Sequence, residues 1–364
     1  LDAAGYRVGV YSSPHLLRYN ERIRLAGREV EDTELCAAFD RVDGARGAVS
    51  LTYFEFGTLA ALDLFRRHAV EVMVLEVGLG GRLDAVNAID TDCAVVTGIA
   101  LDHCDWLGPD RESIGREKAG IFRPGRPAIC ADHDPPRSLL AQAESVGARL
   151  LCVGRDYRHG WLDDGWYWQT ADECLTSLPV PALAGAHQQA NAAAALTVLH
   201  GLQERLPVPV EARRQGLVAA RLPGRLQRQP GPVEWIFDVA HNPQAAGVLA
   251  AALQAWPCAG RTHLVLALLA DKDAVGVARA LAALAPHWYA AGIGGPRGRS
   301  GEALAGILAA AGIAGIMNAA EDVAGACAAA AGAARKGDRI VVCGSFHTVA
   351  SALRGRRFEE TDRG

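Results

Sequence analysis

The chain has 364 residues, which is enough for two ordinary domains and a large buried core. Half of the residues are hydrophobic and 21% are charged, a composition that excludes an intrinsically disordered chain. The net charge of −4 offers no basic surface, so nucleic acid is not an expected partner. Nine cysteines are scattered without a C-x-x-C pair, which argues against zinc fingers and favours reduced thiols.

The sequence shows no segment suited to export or to a membrane. Its first residues lack a basic stretch followed by an apolar one, the pattern of a signal peptide. The most apolar late stretch, residues 303–317, is shorter than a membrane-spanning helix. We interpret it as a core helix followed by a turn. The sequence therefore predicts a soluble, cytoplasmic protein without a membrane partner.

The chain opens inside a predicted βαβ unit. Residues 1–5 are typical of the last turn of a helix with a glycine cap at Gly5, and residues 7–11 are typical of a strand. Since the first residue is leucine and not methionine, we expect further residues in front of Leu1 that complete this unit.

Helices and strands then alternate along the chain. The pattern predicts helices over 32–46, with Asp32 or Thr33 as N-cap, and over 52–67. Strands are predicted at 70–76 and 93–99. The next predicted elements are helix 112–121, strand 127–131, helix 136–147, a small antiparallel addition over 150–169, and helix 187–206.

The segment LPGR at 222–225 interrupts this pattern and predicts a boundary between domains over 1–222 and 223–364. Beyond it, alternation resumes and predicts the α/β class, with a second parallel sheet flanked by helices. The predicted elements are strand 233–238, helix 243–256, strand 262–268, helix 274–285, strand 287–291, helices 301–311 and 321–335, strand 339–343 and a helix from 347.

Three polar clusters lie between residues 76 and 120, each after an apolar run: EVGLGGRLD at 76–84, LDH at 101–103 and REKAG at 116–120. Residues 70–75 and 94–99 have the composition of buried parallel strands. Ligands in open α/β sheets bind beyond the carboxyl ends of such strands. The clusters therefore predict a nucleotide and metal site.

Each residue of these clusters also has an ordinary structural interpretation. Glu76 could be a turn carboxylate, His103 a surface residue, and Lys118 part of a solvated helix face. Glu76 and His103 from neighbouring strands would together suit magnesium or manganese holding ATP phosphates. The pattern G-x-G-G at 78–81 lacks the third spaced glycine of a dinucleotide-binding fingerprint. The sequence therefore gives little support to an NAD site.

In the second predicted domain, DVAHNP at 238–243 ends a strand and starts a helix. Asn242 suits an N-cap and Pro243 the first helical position, which is a structural use. Asp238 and His241 lie where a ligand would bind, and Ser345 follows the strand at 339–343 in the same way. A crevice at this edge of the sheet is therefore plausible.

These segments occur in an order that resembles the bifunctional dihydrofolate synthase/folylpolyglutamate synthase family, relatives of the Mur peptide ligases. The resemblance covers essentially the whole chain. It rests on YSSPHL at 11–16, NERI at 20–23, TYFEFG at 52–57, EVGLGGRLD at 76–84, ALDH at 100–103, REKAGI at 116–121, LPGR at 222–225 and DVAHNP at 238–243.

The resemblance implies a Mur-ligase-like P-loop-type central domain, truncated at its start, and a smaller Rossmann-like C-terminal domain. It implies an ATP-dependent ligase, expected to be a monomer, that joins L-glutamate to dihydropteroate and to the γ-carboxylate of folates through an acyl phosphate. Magnesium, with two ions expected, is the implied metal. By resemblance, the metal is bound by Ser13, Glu76 and His103, and the catalytic residues are Lys118, as a carbamate, Asp238 and His241. The residues implied for ATP are Asn191, Arg225 and Asp238. Those implied for pteroate are Thr52, Tyr53, Phe54, Leu83 and Asp84, and those implied for glutamate are His241 and Ser345.

One family feature is missing from the sequence. The G-x-x-G-K-S/T loop that cradles ATP phosphates does not occur in the 364 residues. We therefore expect an N-terminal truncation, with poor ATP binding and low activity of the chain as it stands. Two alternatives remain at this point: another Mur-type peptide ligase with a UDP-sugar substrate, and a non-catalytic folate-binding or pterin-binding fragment.

Overall fold

The computed structural model describes residues 1–361, with side chains except at 186, 316, 317 and 356–361. Helices and strands alternate through most of the chain, which confirms the α/β class. The chain divides into two compact units, one of Leu1–Ala182 with Gln188–Ala220, the other of Leu183–His187 with the residues from Arg221 onward. Within residues 1–361, none of the helices combines the length and apolar character that crossing a bilayer requires.

The first unit contains three sheets. The strands are β1 Val8–Tyr11, β2 Ile23–Leu25, β3 Arg28–Glu29, β4 Val72–Leu75, β5 Ala94–Val96, β6 Pro127–Cys130, β7 Arg149–Cys152, β8 Arg158–Leu162, β9 Gly165–Gln169 and β10 Cys174–Leu178. The sheet orders are β3-β2-β1-β4, β5-β6-β7 and β10-β9-β8. Strands β1 and β4 are parallel, as are β5, β6 and β7, so their carboxyl ends point the same way within each sheet.

Four of the five helices predicted for this unit begin and end within two residues of their predicted bounds, and the segments 104–107 and 210–219 are helices that were not predicted. The helices of this unit are α1 Asp32–Arg46, α2 Tyr53–Arg67, α3 Cys104–Leu107, α4 Arg111–Ala119, α5 Arg137–Val146, α6 Ala186–Gly201, from Gln188 onward in this unit, and α7 Val210–Ala219. Helix α2 starts at a capping box, because the Thr52 side chain accepts from the Glu55 N–H and Glu55 accepts from Thr52. Its buried face packs Leu64 and Phe65 into the core around Tyr11.

Three sequence-based expectations for this unit were wrong. The N-cap of α1 is Glu31, and not Asp32 or Thr33. Helix α6 ends at Gly201, so the predicted extension to residue 206 is absent. Strand β4 is not a buried strand: Met73 and Val74 are 45% and 44% exposed. The cause is that, among the described residues, β1 is the only strand that pairs with β4.

The second unit is built on one six-stranded sheet of order β11-β12-β16-β13-β14-β15. All neighbours are parallel except β11, which runs antiparallel to β12 at the edge. The strands are β11 Gln227–Gln229, β12 Glu234–Asp238, β13 Thr262–Leu266, β14 His287–Ala291, β15 Ile316–Ala320 and β16 Arg339–Cys343. The helices are α8 Pro243–Ala255, α9 Ala274–Ala282, α10 Gly301–Ala310, α11 Val323–Ala333 and α12 Phe346–Thr361.

The parallel sheet of the second unit confirms the prediction from strand and helix alternation. Strands β13 and β16 are buried along their whole length, as expected for central strands covered on both faces. Two strands were missed: the edge strand β11, and β15, which lies in the stretch interpreted as a turn after the core helix. Its sequence, IMNAA, ends in alanines that have little intrinsic preference for a strand, so pairing with β14 determines its conformation.

A buried carboxylate ties the amino ends of two strands of this sheet together. Asp338, immediately before β16, accepts hydrogen bonds from the backbone N–H groups of Arg261 and Arg335, both at 2.7 Å. It also lies 3.2 Å from His263 Nε2, at the start of β13. These backbone N–H groups lower the pKa of Asp338 to about 2.

We expect Asp338→Asn to lower the free energy of unfolding at pH 7 by roughly 2 kcal/mol, because charge-assisted hydrogen bonds are lost. A folded pKa below the unfolded value of 3.8 means that the ionised group stabilises the protein above about pH 4. The stabilisation is lost as the pH falls from about 4 to about 2. Calorimetric unfolding at several pH values should therefore show the variant and wild type converging in acid, whereas the exposed carboxylate control Glu321→Gln should change little.

Candidate active site

Ser13 and Glu76 meet beyond the carboxyl ends of β1 and β4. The pairing of these parallel strands continues one residue further, where the Glu76 N–H donates to the Tyr11 carbonyl at 2.8 Å. The Ser13 N–H donates to Glu76 Oε2 at 2.9 Å. The two predicted metal ligands therefore lie side by side because the two strands are in register.

The glycine loop after Glu76 is held by one carboxylate. Asp84 Oδ2 accepts from the N–H groups of Gly78 and Leu79, both at 3.0 Å, and Oδ1 accepts from the Val86 N–H at 2.9 Å. Gly78 lies against the ring of Phe54, where an added Cβ would come within 2.7 Å of a ring carbon. The lack of a side chain at Gly78 therefore allows the loop to lie directly on Phe54.

The same loop contacts the third polar cluster. An added Cβ at Gly81 would lie 2.8 Å from the Glu117 carbonyl oxygen and 3.0 Å from that of Lys118. The Arg82 N–H donates to the Glu117 carbonyl at 2.9 Å, and the Arg82 guanidinium pairs with the Glu117 carboxylate at 3.1 Å. The structure thus brings the first and third clusters together at the last turn of α4.

Lys118 is partly withdrawn from solvent at this contact. Burial lowers the pKa of Lys118 below its usual range, while the negative charge of Asp102 acts in the opposite direction. Since Asp102 belongs to the second cluster, all three clusters approach one another here. A lysine with a lowered pKa has a larger neutral fraction, which is the nucleophilic form of the amine.

His103 occupies an unusual backbone position after β5. Its φ of 53° lies in the left-handed region, which only a few per cent of non-glycine residues adopt, and it is the N-cap of α3. Its N–H is hydrogen bonded to Asp102 Oδ1 at 2.9 Å. Strained backbone of this kind is concentrated at functional sites, although it does not by itself identify a ligand.

A partly buried ion pair anchors the loop that carries His103. Arg111 Nη2 donates to both oxygens of Asp132 at 3.0 Å, and Arg111 Nε donates to the Ile99 carbonyl at 3.0 Å. Asp132 Oδ2 in turn accepts from the Ile99 N–H at 2.7 Å. The sequence analysis missed this pair; the single available signal was the position of Asp132 just after β6, at the carboxyl end of a strand.

We expected Glu76 and His103 to follow neighbouring strands of the sheet, and this expectation was wrong. Strand β4 pairs with β1, whereas β5 pairs with β6 in a separate sheet. Among the described side chains, no three His, Cys, Asp or Glu residues converge as a metal-binding group. The donors near the strand ends are a serine, a carboxylate and an imidazole, a mainly oxygen set that fits magnesium or manganese better than zinc.

The residues predicted for pteroate have mixed surroundings. Thr52 is engaged as the cap of α2, while Tyr53 and Leu83 are 64% and 80% exposed. Beside Thr52 and Tyr53 lies a cavity of about 440 Å³. Its lining is mostly aromatic and consists of Tyr19, Phe39, Arg46, Leu51, Thr52, Tyr53 and Phe56.

In the second unit, Arg225 and Asp238 are close neighbours. Asp238 accepts from the N–H groups of Leu226 and Ala240, both at 2.8 Å. Burial raises the pKa of Asp238, while these hydrogen bonds and the charge of Arg225 oppose the shift. The Arg225 guanidinium lies 5.1 Å from the centre of the Phe346 ring. Asn191, in the first unit, donates to Gln188 Oε1 at 3.2 Å.

The other predicted residues of the second unit have clear backbone contacts. His241 Nδ1 lies 2.9 Å from the Val239 carbonyl, which can only accept, so this nitrogen carries the proton. Asn242 caps α8 and Pro243 is its first residue, as predicted. Ser345 is buried, and its hydroxyl accepts from the Thr348 N–H at 3.0 Å. This contact is a structural role for Ser345.

Comparison with known proteins assigns the chain to a family. Residues 224–346 match the family described as Mur ligase, glutamate ligase domain. The chain is 47% identical over 353 residues to the dihydrofolate synthase/folylpolyglutamate synthase of Escherichia coli (strain K12), covering 97% of this chain and 81% of that protein.

Solved structures show the same similarity. E. coli FolC in complex with DHPP and ADP superposes with a TM-score of 0.91 at 46% identity, over 98% of this chain and 84% of that one. A bifunctional folylpolyglutamate synthase/dihydrofolate synthase with Mn, AMPPNP and L-glutamate bound has a TM-score of 0.90 at 47% identity, with the same coverage of both chains.

Because Asp132 holds both the N–H of Ile99 and the arginine that binds its carbonyl, we expect Asp132→Asn to loosen the loop carrying His103. Amide hydrogen exchange of residues 99–108 should accelerate at least about tenfold, since each lost charge-assisted hydrogen bond weakens local closure by more than 1 kcal/mol. The matched control is Asp134→Asn, which removes a 93% exposed partner of the same arginine. Equal exchange rates in wild type and both variants would contradict the anchoring role.

Proposed function

Because the chain belongs to the dihydrofolate synthase/folylpolyglutamate synthase family, we propose that the residues described above carry out ATP-dependent ligation of L-glutamate. The enzyme adds glutamate to dihydropteroate, which forms dihydrofolate, and to the γ-carboxylate of folates. The supporting observation is the 47% identity that extends over 97% of the chain, and not a match of isolated motifs.

The reaction explains why the site needs positive charge. The carboxylate of the acceptor takes the γ-phosphoryl group of ATP, ADP leaves, and an acyl phosphate forms. The amine of glutamate then attacks the acyl carbon, the C–O bond to phosphate breaks, and an amide and inorganic phosphate result. Because the carboxylate and the γ-phosphate are both anions, their approach requires cationic groups at the point of reaction.

We assign Ser13, Glu76 and His103 to a divalent cation. A relative with bound Mn and AMPPNP supports a metal in this family. The structure supports the first pair directly, since the backbone at Ser13 fixes the Glu76 carboxylate at 2.9 Å. Magnesium bound there would neutralise phosphate charge. A second ion is part of the proposal, and a carbamate on Lys118 would supply the additional anionic oxygen ligands that such an ion prefers.

The remaining assignments follow the family and the local geometry. Asn191, Arg225 and Asp238 are proposed to contact ATP, and Asp238 and His241 to act in catalysis. His241 and Ser345 are assigned to glutamate. For pteroate we assign Thr52, Tyr53, Phe54, Leu83 and Asp84, where Phe54 and Asp84 shape the glycine loop and the exposed Tyr53 and Leu83 are available for contact.

The alternatives from the sequence are less well supported. A peptide ligase for UDP-sugar substrates and a non-catalytic pterin-binding fragment both fail to explain the extensive identity to folate synthases. The cytoplasm is the proposed compartment, because none of the nine cysteines forms a disulfide in the described residues, as expected under reducing conditions. A monomer is the proposed state.

The ligation assay tests the assignment with protein expressed from its natural reading frame. Phosphate release should require dihydropteroate, ATP and L-glutamate together, and UDP-muramoyl substrates should not replace dihydropteroate. We expect His103→Ala to lower turnover by roughly 100-fold or more through loss of a metal ligand, with little change in thermal unfolding. The control is His68→Ala, which removes an exposed histidine paired with Glu34. Undiminished turnover of His103→Ala at saturating magnesium would remove His103 from the metal site.

Lys118 should carry a carbamate, since burial favours the neutral amine that reacts with carbon dioxide. In protein equilibrated with ¹³C-bicarbonate, a carbamate resonance should appear by NMR and vanish in Lys118→Arg. The chain has lysines at 118, 272 and 336 only, so assignment is simple, and the exposed Lys336→Arg is the control. Turnover of Lys118→Arg should fall by roughly 100-fold, because the oxygen ligands of the second ion are lost. A wild-type spectrum without the resonance would count against the carbamate.

A further inference from the structure

Arg22 is a buried cation for which the structure offers no counter-ion. The residue is 8% exposed, and its Nε donates to His15 Nδ1 at 2.8 Å. Among the side chains that the structure describes, no carboxylate lies within salt-bridge distance of the guanidinium. Arg22 lies in the NERI segment at 20–23, to which neither the family resemblance nor the proposed function assigned a role.

The nearest carboxylates along the chain are committed elsewhere. Glu21 accepts from the N–H groups of residues 16–18 at 2.7–2.8 Å. Asp32 accepts from Arg18 and Asn20. Glu29 pairs with Arg24 at 3.1 Å. Local sequence therefore provides acids, but each has another partner, and the charge of Arg22 is left uncompensated.

Two tyrosine rings hold the guanidinium in place. The Arg22 Cζ lies 5.3 Å from the ring centre of Tyr19 and 5.4 Å from that of Tyr53. Cation–π contacts of this kind fix the plane of the guanidinium but do not neutralise it. The hydroxyl of Tyr11, whose side chain is 1% exposed, lies close enough to Arg22 and Thr58 for both to influence its pKa. A buried cation without a counter-ion is costly to folding unless a ligand supplies the missing charge.

The positions of Arg22 and Tyr11 connect them to the candidate active site. Tyr11 pairs through its carbonyl with the N–H of Glu76, and its ring lies 5.6 Å from that of Phe54. Tyr19 and Tyr53, which hold Arg22, also line the cavity of about 440 Å³. Arg22 is therefore adjacent to residues that face both the glycine loop and an aromatic cavity.

We propose that Arg22 binds the carboxylate of an aromatic acid substrate, with the aromatic part of that substrate packed against Tyr19 and Tyr53. A planar guanidinium suits a carboxylate because two N–H groups can bind its two oxygens. The aromatic cavity favours an aryl carboxylate over a phosphate, which has no apolar part to bury. The inference rests on the proposed function, under which the substrate is dihydropteroate and its aryl carboxylate is the group that ATP phosphorylates. Arg22 is thus a substrate-binding residue that offsets the repulsion between that carboxylate and ATP.

The test is direct binding by calorimetry, without ATP and without turnover, so it does not depend on activity. Arg22→Met should weaken dihydropteroate binding by about 10- to 100-fold, the usual effect of losing a charged hydrogen bond. Binding of 6-hydroxymethylpterin, which has no carboxylate, should be unchanged. Arg22→Lys should be intermediate, because it keeps the charge and loses the planar fork. The control Arg24→Met, which removes an arginine paired with Glu29, should bind both compounds as wild type does.

Thermal unfolding separates a binding role from a structural one. Removal of a buried charge without a counter-ion should leave the unfolding midpoint of Arg22→Met unchanged or raise it. If the midpoint falls and the binding of dihydropteroate and of 6-hydroxymethylpterin weakens equally, the proposal is overturned, since Arg22 would then be structural. Weaker binding of ATP with intact binding of dihydropteroate would also overturn it in favour of a phosphate site. If wild type binds no dihydropteroate, the inference fails, and the ligation assay then decides separately whether the proposed function also fails.

Discussion

The carboxylate of Asp84 determines the shape of the candidate site. It accepts three backbone N–H groups, two of them from the glycine loop, and so fixes residues that have no side chains to hold them. The fixed loop can then lie on Phe54 on one side and on the carbonyls of Glu117 and Lys118 on the other. The proximity of the polar clusters therefore depends on one acceptor whose hydrogen bonds replace the packing that glycine cannot provide.

Charge in the first unit is arranged in two different ways. Arg111 with Asp132 and Arg82 with Glu117 are compensated pairs, and each holds a loop against a neighbouring element. Lys118 and Arg22 are withdrawn from water with little or no compensation. Compensated pairs stabilise position, whereas uncompensated buried cations cost folding free energy in the isolated protein. Natural sequences retain such a cost mainly where function requires it.

Sequence patterns predicted the elements better than their surroundings. Helix α2 lies within one residue of its predicted bounds and strand β16 has the predicted bounds, because amphipathic periodicity and a run of Ile and Val are local signals. The exposure of Met73 and Val74 could not be predicted, since it depends on which strands pair with β4. The contact of Gly81 with α4 and the lack of a counter-ion at Arg22 are also tertiary facts. A motif names the residues of a site, but only the fold shows which of their polar groups are already occupied.

This distinction determines which variants can report on function. Thr52 caps α2, Ser345 accepts from the Thr348 N–H and Asp84 holds a loop, so substituting any of them would disturb structure as well as binding. Their loss of activity would not identify a ligand. Arg22 lacks a compensating partner, so its removal should not destabilise the protein through a broken ion pair. Buried charged residues that the fold leaves without a counter-ion are therefore the most informative positions for identifying what this site binds.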